Sequence, residues 1–164
     1  MATGPRYSVK FRRRREGKTS YRKRRAMLVS RIPRLVIRKT NNYLIGQIIS
    51  YSVQGDKVLA SANSSELSAL GWKHDTKNLP AAYLTGMLIA KKAIKAKVAE
   101  AIPDLGIYNI TKGSKLFAFL KGAIDGGLKV KTDEKNLPSA DRLKGKHISE
   151  EVVKDFEAVK VKIK

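Results

Sequence analysis

Residues 34–51 read RLVIRKTNNYLIGQIISY and contain the clearest structural pattern in the chain. Residues 34–39 and residues 43–51 are rich in branched apolar side chains, which favour strands. The Thr40-Asn41-Asn42 stretch between them consists of residues that favour turns. The segment therefore predicts two strands joined by a hairpin turn.

The strand pattern continues for one more segment. Residues 53–56 give a second turn signal, and residues 57–62 supply a third short strand. The core is therefore predicted to begin as an antiparallel three-strand meander. In the first strand, Arg34 and Arg38 are four residues apart and thus lie on one face. They either continue the basic surface of the preceding residues onto the sheet or form the solvated face of an edge strand.

Helical periodicity replaces the strand pattern after Asn78. Apolar residues recur every three or four positions, at Leu79, Tyr83, Met87, Ala90, Ile94, Val98 and Ile102. With Asn78 as the N-cap and Pro103 as the terminator, this pattern predicts one long amphipathic helix. Residues 105–110 predict a fourth strand, which would pair parallel in the same sheet after the helical crossover.

The rest of the chain predicts a second core helix and a charged tail. This helix opens at Ser114 and closes at Gly126-Gly127, with Leu116, Phe117, Leu120 and Ile124 on its apolar side. Short helices at 139–146 and 149–159 follow a polar loop, and the mixed charges of the second predict a solvated helix. The fold class is thus α/β with a mixed sheet, divided into a basic arm (1–30), an α/β core (31–130) and a polar loop with a helical tail (131–164).

Positive charge is concentrated at the start of the chain. Residues 1–39 hold 15 of the 35 Lys and Arg and one of the 14 acids, which gives +14 of the formal +21. Arginines bind phosphate oxygens bidentately, and aromatic side chains among them suit stacking on unpaired RNA bases. The sequence therefore predicts an extended arm that binds RNA, with no DNA partner expected, and that orders on binding. Its predicted contacts are Arg6, Tyr7, Phe11, Arg12, Arg13, Arg14, Arg15, Lys18, Tyr21, Arg22, Lys23, Arg24 and Arg25, continued by Arg34 and Arg38. The alternative is a solvated or nuclear-targeting basic run.

Composition and spacing argue against several other functions. The chain has no Cys, and His74 and His147 are far apart, so no metal and no cofactor are predicted. The acids lack the clustered spacing of catalytic carboxylates, so no catalytic residue is predicted. No apolar stretch approaches about 20 residues, the length of a transmembrane helix. The start of the chain also lacks the apolar region of a secretory signal, so we expect an intracellular protein with no membrane partner.

Several strings in the chain resemble one ribosomal protein family. They are GPRYSVKFRRRREGKTSYR at 4–22, RLVIR at 34–38, GW at 71–72, NLPAAYLTG at 78–86 and LKGAIDGGL at 120–128. Together they resemble large-subunit ribosomal protein eighteen in its archaeal and eukaryotic-type form. The resemblance covers at least residues 4–148, and the match over 149–164 is less clear.

This resemblance implies a structural constituent of the large ribosomal subunit, located in the cytoplasm within the ribosome. Its implied partners are 5S rRNA, the large-subunit rRNA to which it helps attach 5S rRNA in the central protuberance, and neighbouring large-subunit proteins. The implied core is a ribonuclease-H-like sheet of the translational-machinery type, used without catalysis. The arm from Arg6 to Arg25 would lie along RNA, and Asn41 and Asn42 of the hairpin turn would add contacts.

Three alternatives remain open from the sequence. A general RNA chaperone or tRNA-binding module outside the ribosome would have a similar arm with weak preference among RNAs. A nuclease on such a sheet would depend on a divalent ion and a carboxylate. A protein-interaction module using the long helix would bind its partner without sensitivity to salt.

Overall fold

The computed structural model describes residues 4–163, so the first three residues of the predicted arm and the last residue of the tail lie outside it. The elements are, in chain order, α1 (Arg12–Arg15), α2 (Tyr21–Leu28), β1 (Arg34–Lys39), β2 (Leu44–Ser50), β3 (Lys57–Asn63), α3 (Glu66–Ala69), α4 (Leu79–Lys95), β4 (Ile102–Asp104), α5 (Lys115–Asp125), a 3-10 turn (Glu134–Asn136), α6 (Ala140–Lys144) and α7 (Glu150–Ile163).

The four strands form one mixed sheet in the order β3-β2-β1-β4. The first three strands are antiparallel neighbours, and β4 pairs parallel with β1. Alternate residues point to one face, where Leu35, Ile37 and Ile48 are fully buried against the helices. The meander, the crossover and the α/β class are therefore confirmed, whereas the ribonuclease-H-like assignment stays a prediction.

Helices α4 and α5 pack closely against each other. The side chain of Asn78 caps α4 by accepting a hydrogen bond from the backbone N–H of Ala81 at 2.8 Å. At the crossing, Gly86 approaches the carbonyl oxygen of Phe119, and Gly122 approaches that of Tyr83, so closely that a Cβ on either glycine would overlap it. The longest helix of residues 4–163 is α4, with 17 residues, and none of their helices combines the length and apolar character of a bilayer-spanning segment.

The predicted end of the long helix is wrong. Helix α4 ends at Lys95, and Lys97 adopts a left-handed backbone conformation with φ of 59°. Beyond it, the N–H of Lys129 donates to the carbonyl of Ala99 at 2.9 Å, and the N–H of Ala101 donates to the carbonyl of Lys129 at 3.0 Å. Pairing with residue 129 therefore replaces the last helical turns, although no Gly or Pro interrupts residues 96–102.

The predicted position of the fourth strand is also wrong. Strand β4 is Ile102–Asp104 and not residues 105–110. Pro103 belongs to this strand and pairs with Leu35, which is compatible with proline because β4 lies at the sheet edge. The strand stops because Gly106 turns the chain with φ of 68° and donates its N–H to Oδ1 of Asp104 at 2.9 Å.

Both ends of the chain are more structured than the sequence predicted. The segment predicted as an extended arm contains two helices, α1 and α2. Helix α7, predicted to be solvated, buries one side, formed by Val152, Phe156, Val159 and Ile163. It packs on α4, with the rings of Tyr83 and Phe156 5.5 Å apart between centroids. Amphipathic packing thus determines the position of this helix.

Candidate nucleic-acid interface

The basic residues at the start of the chain lie on the surface. Residues 4–18 are exposed throughout, and in α2 the side chains of Arg22, Lys23 and Arg25 are exposed while Tyr21 and Arg24 are half-buried. Helix α1 consists of four arginines, and the acid that follows it, Glu16, accepts from Lys18 Nζ at 2.9 Å. A dense, mostly unneutralised cationic surface results, which is the electrostatic requirement for binding a polyanion.

The aromatic residues predicted to stack on bases are Tyr7, Phe11 and Tyr21, and two of them contact each other. Phe11 and Tyr21 contact each other, with ring centroids 5.1 Å apart and planes tilted by 50°, so they join the start of α1 to the start of α2. Phe11 nevertheless keeps 71% of its surface exposed, and Tyr7 keeps 52%. Both rings therefore present area on which an unpaired base can stack.

Helix α2 is attached to the core by an ion pair. Arg24 Nη2 donates to Oδ1 of Asp56 at 3.0 Å and to Oδ2 at 2.9 Å. Asp56 lies in the turn before β3 and also accepts from Arg34 Nη2 of β1 at 2.8 Å. The carboxylate of Asp56 thus bridges the first strand of the sheet and the basic segment, residues 6–25.

A second carboxylate extends this network along the edge of the sheet. Asp104 Oδ2 accepts from Arg34 Nη1 at 3.0 Å, and Asp104 Oδ1 lies 3.4 Å from Arg38 Nη2. Arg38 also donates through Nη1 to the backbone carbonyl of Asp104 at 2.9 Å. Asp104 is 6% exposed, and its position in β4 places it beside β1. The ion-pair chain Arg24–Asp56–Arg34–Asp104–Arg38 therefore connects four segments of the fold: α2, the turn before β3, β1 and β4.

The two sheet arginines consequently differ in what they can reach. Arg34 is 3% exposed, and both of its terminal nitrogens are bound to carboxylates, so we omit it from the proposed RNA-contacting surface. The side chain of Arg38 is 40% exposed and remains accessible. A polyanion can therefore reach Arg38, while Arg34 fixes the two aspartates.

The hairpin turn lies at the far end of β1. Asn41 and Asn42 are exposed, and their backbone carbonyls accept from Lys77 Nζ at 2.7 Å and from Thr76 Oγ1 at 2.9 Å. These bonds hold the turn while leaving the two side-chain amides on the surface. Next to the turn, Lys39 Nζ lies 4.9 Å from the ring centroid of Tyr108. The turn is therefore a polar part of the surface that two side chains hold by hydrogen bonds.

Comparison with known families identifies the chain. A family model described as "Ribosomal large subunit proteins 60S L5, and 50S L18" matches residues 5–102. The chain belongs to the ribosomal L5e/L18 family. The match contains α1, α2, the three-strand meander, α3, α4 and the first residue of β4. The L5e/L18 assignment thus confirms the resemblance found in the sequence, and with it a large-subunit ribosomal protein in the cytoplasm.

Individual L5e/L18 relatives extend the similarity beyond this match. The chain is 51% identical to the large ribosomal subunit protein uL18 of Methanoregula boonei over 170 aligned positions, covering 100% of the chain and 98% of the relative. It is 55% identical to uL18 of Korarchaeum cryptofilum over 149 positions, covering 91% and 76%. A uL18 from Methanoculleus marisnigri is 50% identical over 171 positions, covering 100% and 98%. The similarity therefore includes α7 as well.

Sequence reasoning missed the two aspartates that organise the basic surface of this L5e/L18 member. Asp56 is 32 residues from Arg24, and Asp104 is 70 residues from Arg34, so no local spacing relates them. The only hint in the sequence was that Asp56 and Asp104 lie in segments expected to adjoin the strand that carries Arg34 and Arg38. Among residues 4–163, no group of three or more His, Asp or Glu side chains is placed to hold a metal ion.

Proposed function

We propose that the chain is a structural, non-catalytic constituent of the large ribosomal subunit that binds 5S rRNA. In this role it helps attach 5S rRNA to the large-subunit rRNA in the central protuberance, beside neighbouring large-subunit proteins. The RNA-contacting surface comprises the basic segment from Arg6 to Arg25, Arg38, and the hairpin turn at Asn41 and Asn42.

One observation carries this proposal: the basic segment is exposed and also anchored to the core. Residues 6–25 contain 11 Lys or Arg and one acid. The Arg24–Asp56 pair holds α2 against the sheet, so at least part of the segment is ordered before RNA arrives. A preordered cationic surface loses less conformational entropy on binding than a disordered one. This arrangement supports binding to one defined RNA structure.

The proposal is tested by binding measurements on the full chain and on a chain lacking residues 1–18. This deletion removes seven Lys or Arg but keeps α2 and its ion pair. Each is titrated with a 5S rRNA transcript and with a tRNA as the control RNA. With about 6 to 10 phosphate contacts, affinity of the full chain should fall by about 10³ to 10⁵ between about 50 and 200 mM salt.

The outcomes separate the proposal from its alternatives. The proposal would be supported if the full chain prefers 5S rRNA to tRNA and if the deletion reduces both this preference and the dependence of affinity on salt. Equal binding to both RNAs would instead indicate a general RNA-binding protein. Cleavage of RNA that requires a divalent ion would indicate a nuclease, and binding that is insensitive to salt would contradict the basic segment as the contact surface.

A further inference from the structure

A cleft lies between the basic segment and the edge of the sheet formed by β1 and β4. Its volume is about 400 Å³, within the size range of sites for small ligands. Six cationic side chains line it: Arg13, Lys18, Lys23, Arg24, Arg34 and Arg38. Asp104 is the acid in the lining, and a smaller pocket that shares Arg13, Lys18 and Arg38 continues the cleft towards Tyr108.

The carboxylates near the cleft neutralise only part of this charge. Asp56 and Asp104 bind Arg24, Arg34 and Arg38, and Glu16 binds Lys18. Within residues 4–163, Arg13 and Lys23 have no carboxylate within 4.0 Å, and Arg13 Nε instead donates to Thr19 Oγ1 at 2.9 Å. Three carboxylates against six cations leave the cleft strongly positive. It therefore favours an anionic ligand.

Backbone geometry also directs positive potential into the cleft. Helix α2 is eight residues long, has no acid in its first turn, and begins at Tyr21 in the cleft wall, so its positive dipole end adjoins the site. Arg34, whose two terminal nitrogens are bound to carboxylates and whose side chain is 4% exposed, adds positive charge to the cleft without offering a free contact.

Apolar surface distinguishes this cleft from a simple phosphate site. Tyr21, Met27 and Ile107 contribute to the lining, and Ile107 is 48% exposed. Unpaired RNA bases are bound by stacking on aromatic side chains and on arginine planes, whereas paired bases keep their faces covered. The combination of cationic side chains, apolar side chains and a small volume in one cleft fits one nucleotide.

We propose that this cleft holds a single unpaired nucleotide of the bound rRNA. Its phosphate lies near Lys23, Arg13 and the start of α2, and its base packs against Tyr21 and Ile107. This inference rests on the proposed function and adds that the protein recognises a splayed-out nucleotide as well as the RNA backbone. The ion-pair chain through Asp56 and Asp104 then has the role of holding the two walls of the cleft together.

The first test uses adenosine 5′-monophosphate, adenosine and inorganic phosphate as probes of the full chain, followed by amide NMR. We expect saturable shifts at Thr19, Tyr21 and Gly106 with the nucleotide, and weaker binding of adenosine and of phosphate. The absence of saturable shifts with the nucleotide would overturn the inference, and so would binding of phosphate as tight as that of the nucleotide.

A matched pair of variants separates the cleft from general electrostatics. R13Q/K23Q removes two cations from the cleft, and R22Q/R25Q removes two exposed cations of the same segment that do not line it. Both should reduce the salt slope for 5S rRNA by about 2, the value for two phosphates. Only R13Q/K23Q should weaken binding of the mononucleotide, by at least about tenfold. Equal effects of the two variants on mononucleotide binding would contradict the inference.

Crosslinking tests the same contact with the whole RNA. The chain has no Cys, so I107C and V161C each introduce a single attachment point for a short photocrosslinker. Val161 is 74% exposed on α7 and serves as the control. We expect I107C to crosslink to one unpaired position of 5S rRNA and V161C to give no such product. If 5S rRNA binds and I107C gives no product or the same products as V161C, the cleft inference fails while the proposed function stands. Failure of 5S rRNA itself to bind would instead contradict the proposed function.

Discussion

Arg24 and Asp56 form a forked ion pair in which Nη2 of the arginine lies 3.0 Å from Oδ1 and 2.9 Å from Oδ2 of the aspartate. The pair joins helix α2 of the basic segment to the turn before β3. Arg34 shares the same carboxylate from inside the sheet. The basic segment is consequently held by the core from α2 onwards, and its charges have a defined position relative to the cleft.

Replacing Asp56 by Asn should release α2. The variant removes the charge that Arg24 and Arg34 share, and Arg34 is buried, so we expect a loss of about 1–3 kcal/mol in the free energy of unfolding. Amide hydrogen exchange in residues 21–28 should accelerate more than exchange in α5. The measurements are urea unfolding and hydrogen exchange, with D133N as the control because Asp133 is exposed. Unchanged protection of α2 would contradict the anchoring role.

Replacing Asp104 by Asn should cost more than the change at Asp56. Asp104 is 6% exposed, binds Arg34 and Arg38, and accepts from the N–H of Gly106. Removing one partner of a buried ion pair costs about 3–5 kcal/mol because a buried charge loses its compensation. Urea unfolding of D104N and of D56N, compared with the unmodified chain, measures both losses. A smaller loss for D104N would show that Asp56 is the main partner of Arg34.

Replacing Gly122 by Ala should destabilise the packing of α4 on α5. A Cβ at this position would overlap the backbone carbonyl of Tyr83, and a backbone atom of a packed helix cannot rotate away. We expect the free energy of unfolding to fall by about 1–3 kcal/mol, the range found for overpacked cores. Thermal and urea unfolding measure it. G4A is the control, since nothing lies within 4 Å of a Cβ at Gly4 and its change should stay within about 0.5 kcal/mol.

Tyr83 should give stability a specific dependence on alkaline pH. Its hydroxyl donates to Oδ2 of Asp125 at 2.9 Å, and burial, this hydrogen bond and the negative charge of Asp125 together raise its pKa above the ordinary 10.0. Because the neutral phenol is favoured in the folded state, its contribution is complete below about pH 10. It is lost as the pH rises towards the raised pKa of the folded state.

The variant Y83F tests this dependence. It removes the hydroxyl and should cost about 1.5–3 kcal/mol near neutral pH, the range for a hydrogen bond to a charged group. The difference in unfolding free energy between Y83F and the unmodified chain should stay constant up to about pH 9.5 and then shrink. Urea unfolding between about pH 7 and 11 measures the difference, which also cancels the titration of the lysines common to both chains. A difference that is constant over this range would show that the pKa of Tyr83 is not raised.

Local patterns predicted most of the elements because their signals lie within a few residues. The hairpin between β1 and β2 followed from branched apolar runs around Thr40-Asn41-Asn42, and α5 followed from its apolar side and the glycines after Asp125. Errors arose where a distant partner overrides local preference. Residues 96–102 have helical periodicity, but hydrogen bonds to Lys129 redirect them, and this partner is about 30 residues away.

By itself, the sequence determined the α/β class, the concentration of positive charge at the start of the chain and the ribosomal family. These properties depend on composition, on short periodic patterns and on continuous strings of residues. Only the tertiary structure decided which arginines are accessible at the surface and which are internal. The sequence places Arg34 and Arg38 on one face of the same strand. In the structure Arg34 is buried between Asp56 and Asp104, whereas Arg38 stays accessible. The reason is that burying a charge is favourable only beside a partner charge, and the sheet brings those partners from distant parts of the chain.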